Sequence, residues 1–139
     1  MCSSDLAECR FAAELALDWV TVPNAAPSPP AAAPLAAYPE GCMFRRAMIA
    51  SLKAAGRQWF VQAQSRTHAG IIASVRAGIA VTAMARGTAP HGLRALREAG
   101  GLPAMPDMPV YMLATRDWPL VDLLQDELAA LARLPQAAE

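Results

Sequence analysis

The sequence predicts an α/β fold built on a parallel sheet, and three observations carry that expectation. Runs suited to strands, at 35–38, 59–64 and 79–84, alternate with two helical patterns at 43–55 and 67–77. Gly56 and Gly78 stand just past those patterns, where a helix C-terminus takes a left-handed residue. The connections are short, and a β-α-β-α-β order with short connections makes a parallel sheet with helices packed on its faces.

The elements follow in order. Met1–Leu6 can be back-translated to the end of a common sequencing adapter and is read either as that or as a frayed terminus. Residues 1–14 are accordingly set aside as an N-terminal remnant. Leu15, Leu17 and Trp19 alternate with Ala16 and Asp18, the period of a strand with one buried face. Asn24–Pro34 is rich in Pro, Ala and Ser and reads as a loop, because proline offers no donor to a ladder. Leu35–Tyr38 is a short apolar run closed by Pro39, Glu40 and Gly41. Phe44, Met48 and Leu52 then recur at helical spacing, with Arg45, Arg46 and Lys53 off that stripe. Trp59, Val61 and Ala63 share one face of the next strand. Ser65 and Thr67 are cap candidates for a helix whose buried stripe is Ile71, Ile72 and Val75. Ile79–Met84 is β-branched and suited to a sheet. Leu93–Leu96 fits a short strand or the start of a helix. Val110–Ala114 is a strand, and Asp117 caps a last helix with Leu120, Leu123, Leu124, Leu128 and Leu131 on one stripe. No internal repeat is visible.

Composition excludes several classes. Twelve Lys+Arg against 12 Asp+Glu leave no surplus of positive charge, so the chain is not expected to bind DNA by itself. A hydrophobic fraction of 55% with 17% charged residues is the reverse of a disordered tail. The longest uncharged stretch, Trp19–Pro39, is interrupted by five prolines and does not suit a membrane span. Asp5 and Glu8 occupy the place of a basic leader region, so a cytoplasmic location is expected. Three cysteines without Cys-x-x-Cys spacing favour neither a disulfide framework nor a zinc site.

No phosphate-binding glycine loop and no Gly-x-Ser-x-Gly elbow is present. His68 and His91 have no carboxylate at ligand spacing, so no metal and no cofactor is expected. Cys42 and His68 form at most a weak thiol–imidazole candidate. The stronger constellation is topological. The loops Pro39–Phe44 and Gln64–His68 each run from the carboxyl end of a strand into a helix N-terminus. Free N–H groups and helix dipoles there favour an anion or a carboxylate. Helix capping by Ser65 or Thr67 is the plainer use of the same residues, and the sequence leaves both open.

The stretch Leu35-Ala-Ala-Tyr-Pro-Glu-Gly-Cys-Met-Phe-Arg45 resembles the strand–loop–helix that leads into the second subdomain of LysR-type transcriptional regulators. Ser65–Thr82 is similar to the family's polar turn, helix, Val-x-x-Gly-Leu-Gly-Val and strand, with Ala80 in place of the second Gly. His91–Arg94 and Gly101–Pro106 resemble its later turns, and the likeness runs over about residues 15–134. It implies an α/β fold like the type 2 periplasmic binding proteins: one βαβαβ lobe plus the last strand and helix of the other lobe. By resemblance, 15–23 is a crossover strand, 24–109 the second subdomain, and 110–139 the returning strand and C-terminal helix of the first.

The effector-contacting positions implied are Pro39, Gly41, Cys42, Gln64, Ser65 and Thr67, with the loop after Thr82. The implied partner is a small-molecule effector, anionic if the helix N-termini hold it. The family's winged helix-turn-helix, linker helix and most of the first lobe have no counterpart here. The chain is therefore expected to be a fragment of a homo-oligomeric regulator that reaches DNA only through a missing N-terminal domain, with no membrane partner and no catalytic residue. The alternatives are a solute-binding protein of a transporter, which needs a secretion signal, or a small α/β enzyme using Cys42 or His68.

Overall fold

A computed structural model describes residues 9–24, 32–96, 101–113 and 119–132. The chain divides into two units, Leu17–Pro106 and the pair of segments 1–16 and 107–139.

The larger unit is built on strands β2 (Leu17–Thr21), β3 (Ala33–Ala37), β4 (Trp59–Gln64), β5 (Thr82–Ala85) and β6 (Arg94–Leu96), with helices α1 (Met43–Ala54) and α2 (His68–Arg76). β3 and β4 are parallel. A single parallel bridge, Leu35 to Val81, carries the pairing from β3 towards β5. β2 lies antiparallel between β5 and β6. The expected parallel crossover unit thus occupies one side of the sheet, and an antiparallel part completes it.

Two apolar clusters sit on the two faces, because alternate strand residues point oppositely. Trp19, Leu35, Ala37 and Ala83 pack with Met48 and Leu52 of α1. Val20, Ala36 and Met84 pack with Ile71, Ile72 and Val75 of α2. With both faces covered, every residue of β2 is buried, including Asp18. The sequence places Asp18 on a polar face; instead its carboxylate accepts from Nε and Nη2 of Arg86 at 3.1–3.3 Å. An enclosed carboxylate needs such a partner, because burying an unpaired charge is strongly unfavourable.

Several boundaries differ from the sequence expectation. Pro34 lies in β3 rather than in the loop. Its carbonyl accepts from Val81 N–H at 2.9 Å, and its missing donor falls on the side where pairing is a single bridge. The third strand of the crossover unit begins at Thr82, not Ile79, because Gly78 turns the chain at φ +72 and leaves Ile79 exposed. Arg94–Leu96 is a strand, which settles the open alternative.

The register of β3 on β4 shifts between Leu35 and Ala36. This shift moves Ala63 off the face it was expected to share with Trp59 and Val61: those two pack on the α1 side, and Ala63 packs on the α2 side.

In the smaller unit, β1 (Cys9–Leu15) pairs antiparallel with β7 (Met108–Leu113), and α3 (Pro119–Ala132) packs against β1. Arg10 Nη1 donates to Asp122 across that contact at 2.7 Å. Where one strand is expected around Leu15–Val22 and a remnant before it, the chain forms β1 and β2, broken at Ala16. The expected stripe of α3 remains more than half exposed at Leu120, Leu123 and Leu124. The adapter-like residues 1–6, most of the proline-rich loop and the Asp117 cap lie outside the described residues. Among the described residues, no helix is long and apolar enough to cross a membrane.

Candidate functional site

The strand order β4–β3–β5 follows from the crossovers: α1 carries the chain from β3 out to β4, and α2 carries it back past β3 towards β5. The carboxyl ends of β3 and β5 therefore border the point where successive connections diverge, the usual ligand crevice of an open α/β sheet. A cavity of about 110 Å³ lies there. Ala83, Met84 and Ala85 of β5 line it together with Phe44 of α1, His68 and Ile71 of α2, Tyr38 just after β3, and Thr88.

None of Pro39, Gly41, Cys42, Gln64, Ser65 and Thr67, the residues singled out from the sequence, lines this cavity; they lie in the two strand-to-helix loops whose Tyr38, Phe44 and His68 do. Pro39 accepts from Cys42 N–H at 3.3 Å and closes the first loop, with Gly41 at φ +94 between them. That conformation suits glycine alone among common residues. Cys42 is the N-cap of α1, extended and half-buried, and its side chain makes no capping hydrogen bond. The N–H groups of Met43 and Phe44, in the first turn, therefore have no acceptor within the helix.

In the second loop, Ser65 N–H donates to Ala37 O at 3.2 Å, tying the loop to the end of β3. Ser65 Oγ accepts from Thr67 N–H at 3.1 Å, and Thr67 Oγ1 accepts from Gly70 N–H at 3.2 Å. Thr67 is thus a helix cap. Gly70 allows this turn to close, since a Cβ there would lie 2.2 Å from Ser65 Oγ.

Gln64 owes its direction to the register shift. The shift turns Gln64 to the α1 side of the sheet, where its Oε1 accepts from Arg45 Nη1 at 2.9 Å. The same Nη1 donates to Tyr38 O at 3.1 Å, and Nη2 is 3.7 Å from the exposed Glu40 carboxylate. Arg45 therefore clamps the ends of β3 and β4 to the start of α1. Removing it in Arg45→Met should lower stability by about 1.5–3 kcal/mol, the usual range for hydrogen bonds from a charged group. The denaturation midpoint measures this, and a shift under about 0.5 kcal/mol would show that the clamp is idle.

Tyr38 Oη and His68 Nδ1 share a hydrogen bond at 3.1 Å, which links the two loops. The imidazole nitrogen is thus engaged by a phenol, not by the Cys42 thiol of the thiol–imidazole candidate. The Tyr38 ring lies 6.4 Å from that of Phe44. Burial pushes the Tyr38 pKa above 10.0, and the neighbouring Cys42 adds in the same direction, so the phenol is protonated at neutral pH.

The sequence does not single out Tyr38, Phe44 or Arg45. The divergence rule alone points to Tyr38, the residue that follows the first parallel strand. Arg45 has two sequence signals, its place off the apolar stripe of α1 and its place at the end of the LysR-like stretch from Leu35, and neither tells what it binds. Among the described residues, no group of three His, Cys, Asp or Glu is arranged to hold a metal.

No protein-family model matches the sequence, and no curated protein matches it. Solved structures do. The chain is similar to the regulatory domain of Synechocystis PCC6803 CcmR in complex with 2-PG, with a TM-score of 0.63 at 12% identity over 99% of this chain and 73% of that one. The fold is that of a LysR-type regulatory domain. A second likeness agrees: HinK, a LysR family transcriptional regulator from Pseudomonas aeruginosa, gives a TM-score of 0.62 at 13% identity, over 95% of this chain and 53% of that one. At such identities the shared property is the architecture, the α/β fold of type 2 periplasmic-binding-protein character expected from the sequence.

Proposed function

We propose that this chain is the small-molecule effector-sensing part of a LysR-type transcriptional regulator. The observation that carries this reading is the crevice at the carboxyl ends of β3 and β5, flanked by the N-termini of α1 and α2. It lies in a fold shared with a regulatory domain that holds 2-PG. Both similar structures come from regulators, which favours this reading over a transporter's solute-binding protein.

Pro39, Gly41 and Cys42 shape the approach to the uncapped start of α1, whose free N–H groups and dipole suit a carboxylate or phosphate. Gln64, Ser65 and Thr67 belong to the second loop, which carries His68 to the cavity, with Thr67 already spent on its helix. The function is binding rather than turnover. An effector that prefers one arrangement of the parent protein shifts its oligomer and, through it, the DNA-binding part. A cytoplasmic location follows from that role.

Thermal unfolding of the 139-residue chain with a panel of small organic anions and phosphate tests this. A ligand at 100 times its Kd should stabilise the chain by about 2.7 kcal/mol. A panel without any shift, or tight sequence-selective DNA binding by this chain at low salt, would overturn the proposal.

A further inference from the structure

We propose that the ligand of this crevice carries a compact aliphatic group, which enters the cavity between Phe44 and Ile71; its class is the short branched-chain monocarboxylates. This rests on the effector-site reading above and adds the nature of the part that is buried.

The walls set the polarity. Phe44, Ile71, Met84 and Ala85 present hydrocarbon and thioether surface. Two of the polar groups at the wall are already engaged, Tyr38 Oη with His68 Nδ1, and Thr88 Oγ1, which donates to Ala85 O at 2.7 Å; His68 Nε2 is the side-chain nitrogen left over. A hydroxylated or doubly charged body placed here would lose several waters and find one side-chain partner, His68 Nε2, which is unfavourable. An aliphatic body has nothing to lose there and gains burial.

The volume sets the size. A closed apolar cavity of about 150 Å³ accepts benzene, and the cavity here is about 110 Å³. By that ratio it suits a branched chain of about four or five carbons rather than an aromatic ring. Ala83 and Ala85 of β5 line it with side chains no larger than a methyl group. Phe44 is the second residue of α1, beside the free N–H groups of that helix start. A carboxylate there and an aliphatic group in the cavity are therefore next to one another on the chain that binds them.

Titration calorimetry of the 139-residue chain with acetate, butanoate, 3-methylbutanoate, benzoate, succinate and inorganic phosphate tests the proposal. Each added carbon up to 3-methylbutanoate should lower Kd by about three- to fourfold, and benzoate should bind no tighter than 3-methylbutanoate. Ala85→Leu should weaken 3-methylbutanoate at least tenfold and narrow its advantage over acetate, with circular dichroism confirming the fold. If Ala85→Leu does not fold, Ala85→Val is used, with a smaller loss of the same sense. Equal affinities along the series, or a filled cavity that leaves 3-methylbutanoate unaffected, would overturn it. Tight succinate or phosphate binding with a flat monocarboxylate series would overturn it while leaving the effector site standing. Failure of every probe to bind would remove both.

Discussion

Replacing Trp19 by alanine should cost the larger unit about 3–5 kcal/mol, much of the stability of an ordinary domain. The indole is fully buried at the middle of the α1-side cluster, among Leu35, Met48, Leu52 and Leu96. Its neighbours come from strands and a helix held by the sheet, so they can close only partly over the space left behind. The indole Nε1 also donates to Pro103 O at 2.7 Å, which fastens the stretch after Gly101 to the core. Trp19→Phe keeps most of the hydrocarbon and loses that bond, so it should cost clearly less. Urea midpoints of the two variants separate packing from the hydrogen bond. Equal losses would assign the effect to the bond alone. A loss under about 1 kcal/mol in Trp19→Ala would show that the cluster collapses around the site.

The second large effect is expected at Gly70. Helix propensity by itself favours alanine there by about 1 kcal/mol. The structure reverses the sign, because the new Cβ would meet Ser65 Oγ at 2.2 Å and Ser65 Cβ at 2.8 Å. The hydroxyl cannot simply swing away, since it serves the turn at Thr67. Gly70→Ala should therefore destabilise by about 1–3 kcal/mol, as overpacked sites do. It should also disturb the Ser65–Thr67 turn that precedes His68, the residue of this loop that lines the cavity. The double variant Ser65→Gly, Gly70→Ala removes both clashing atoms and should recover part of the loss. A coupling below about 0.5 kcal/mol in that cycle would show that the two residues are independent. A gain in stability for Gly70→Ala alone would show that propensity outweighs the clash.

Gly70 illustrates what was legible in the chain and what was not. Its presence in a helical stretch is plain from the sequence, but its reason is a contact with a residue five positions earlier, across a turn. The same holds for Asp18. Its alternation with Leu17 and Trp19 marks a polar face only when one side of a sheet meets water. Here α1 and α2 cover both sides, and Arg86 makes the burial tolerable. Gln64 is legible as a polar residue at a strand end. Its aim at Arg45 depends on a register shift within its own strand, where Gln62 is the extra residue against β3, and no local pattern announces it.

Periodicity and punctuation were enough for both helices of the crossover unit, for β4, and for the two loops at their N-termini. Those features depend on interactions between residues a few positions apart, which a sequence records directly. Their order also implied the edge of the sheet where a ligand would sit. The clamp of Arg45 on two strand ends and the link between Tyr38 and His68 join residues separated by 7 to 30 positions, and the cavity gathers residues from Tyr38 to Thr88. Such contacts exist only once the strands have paired and the helices have packed, because their distances are set by the sheet and not by the chain between them.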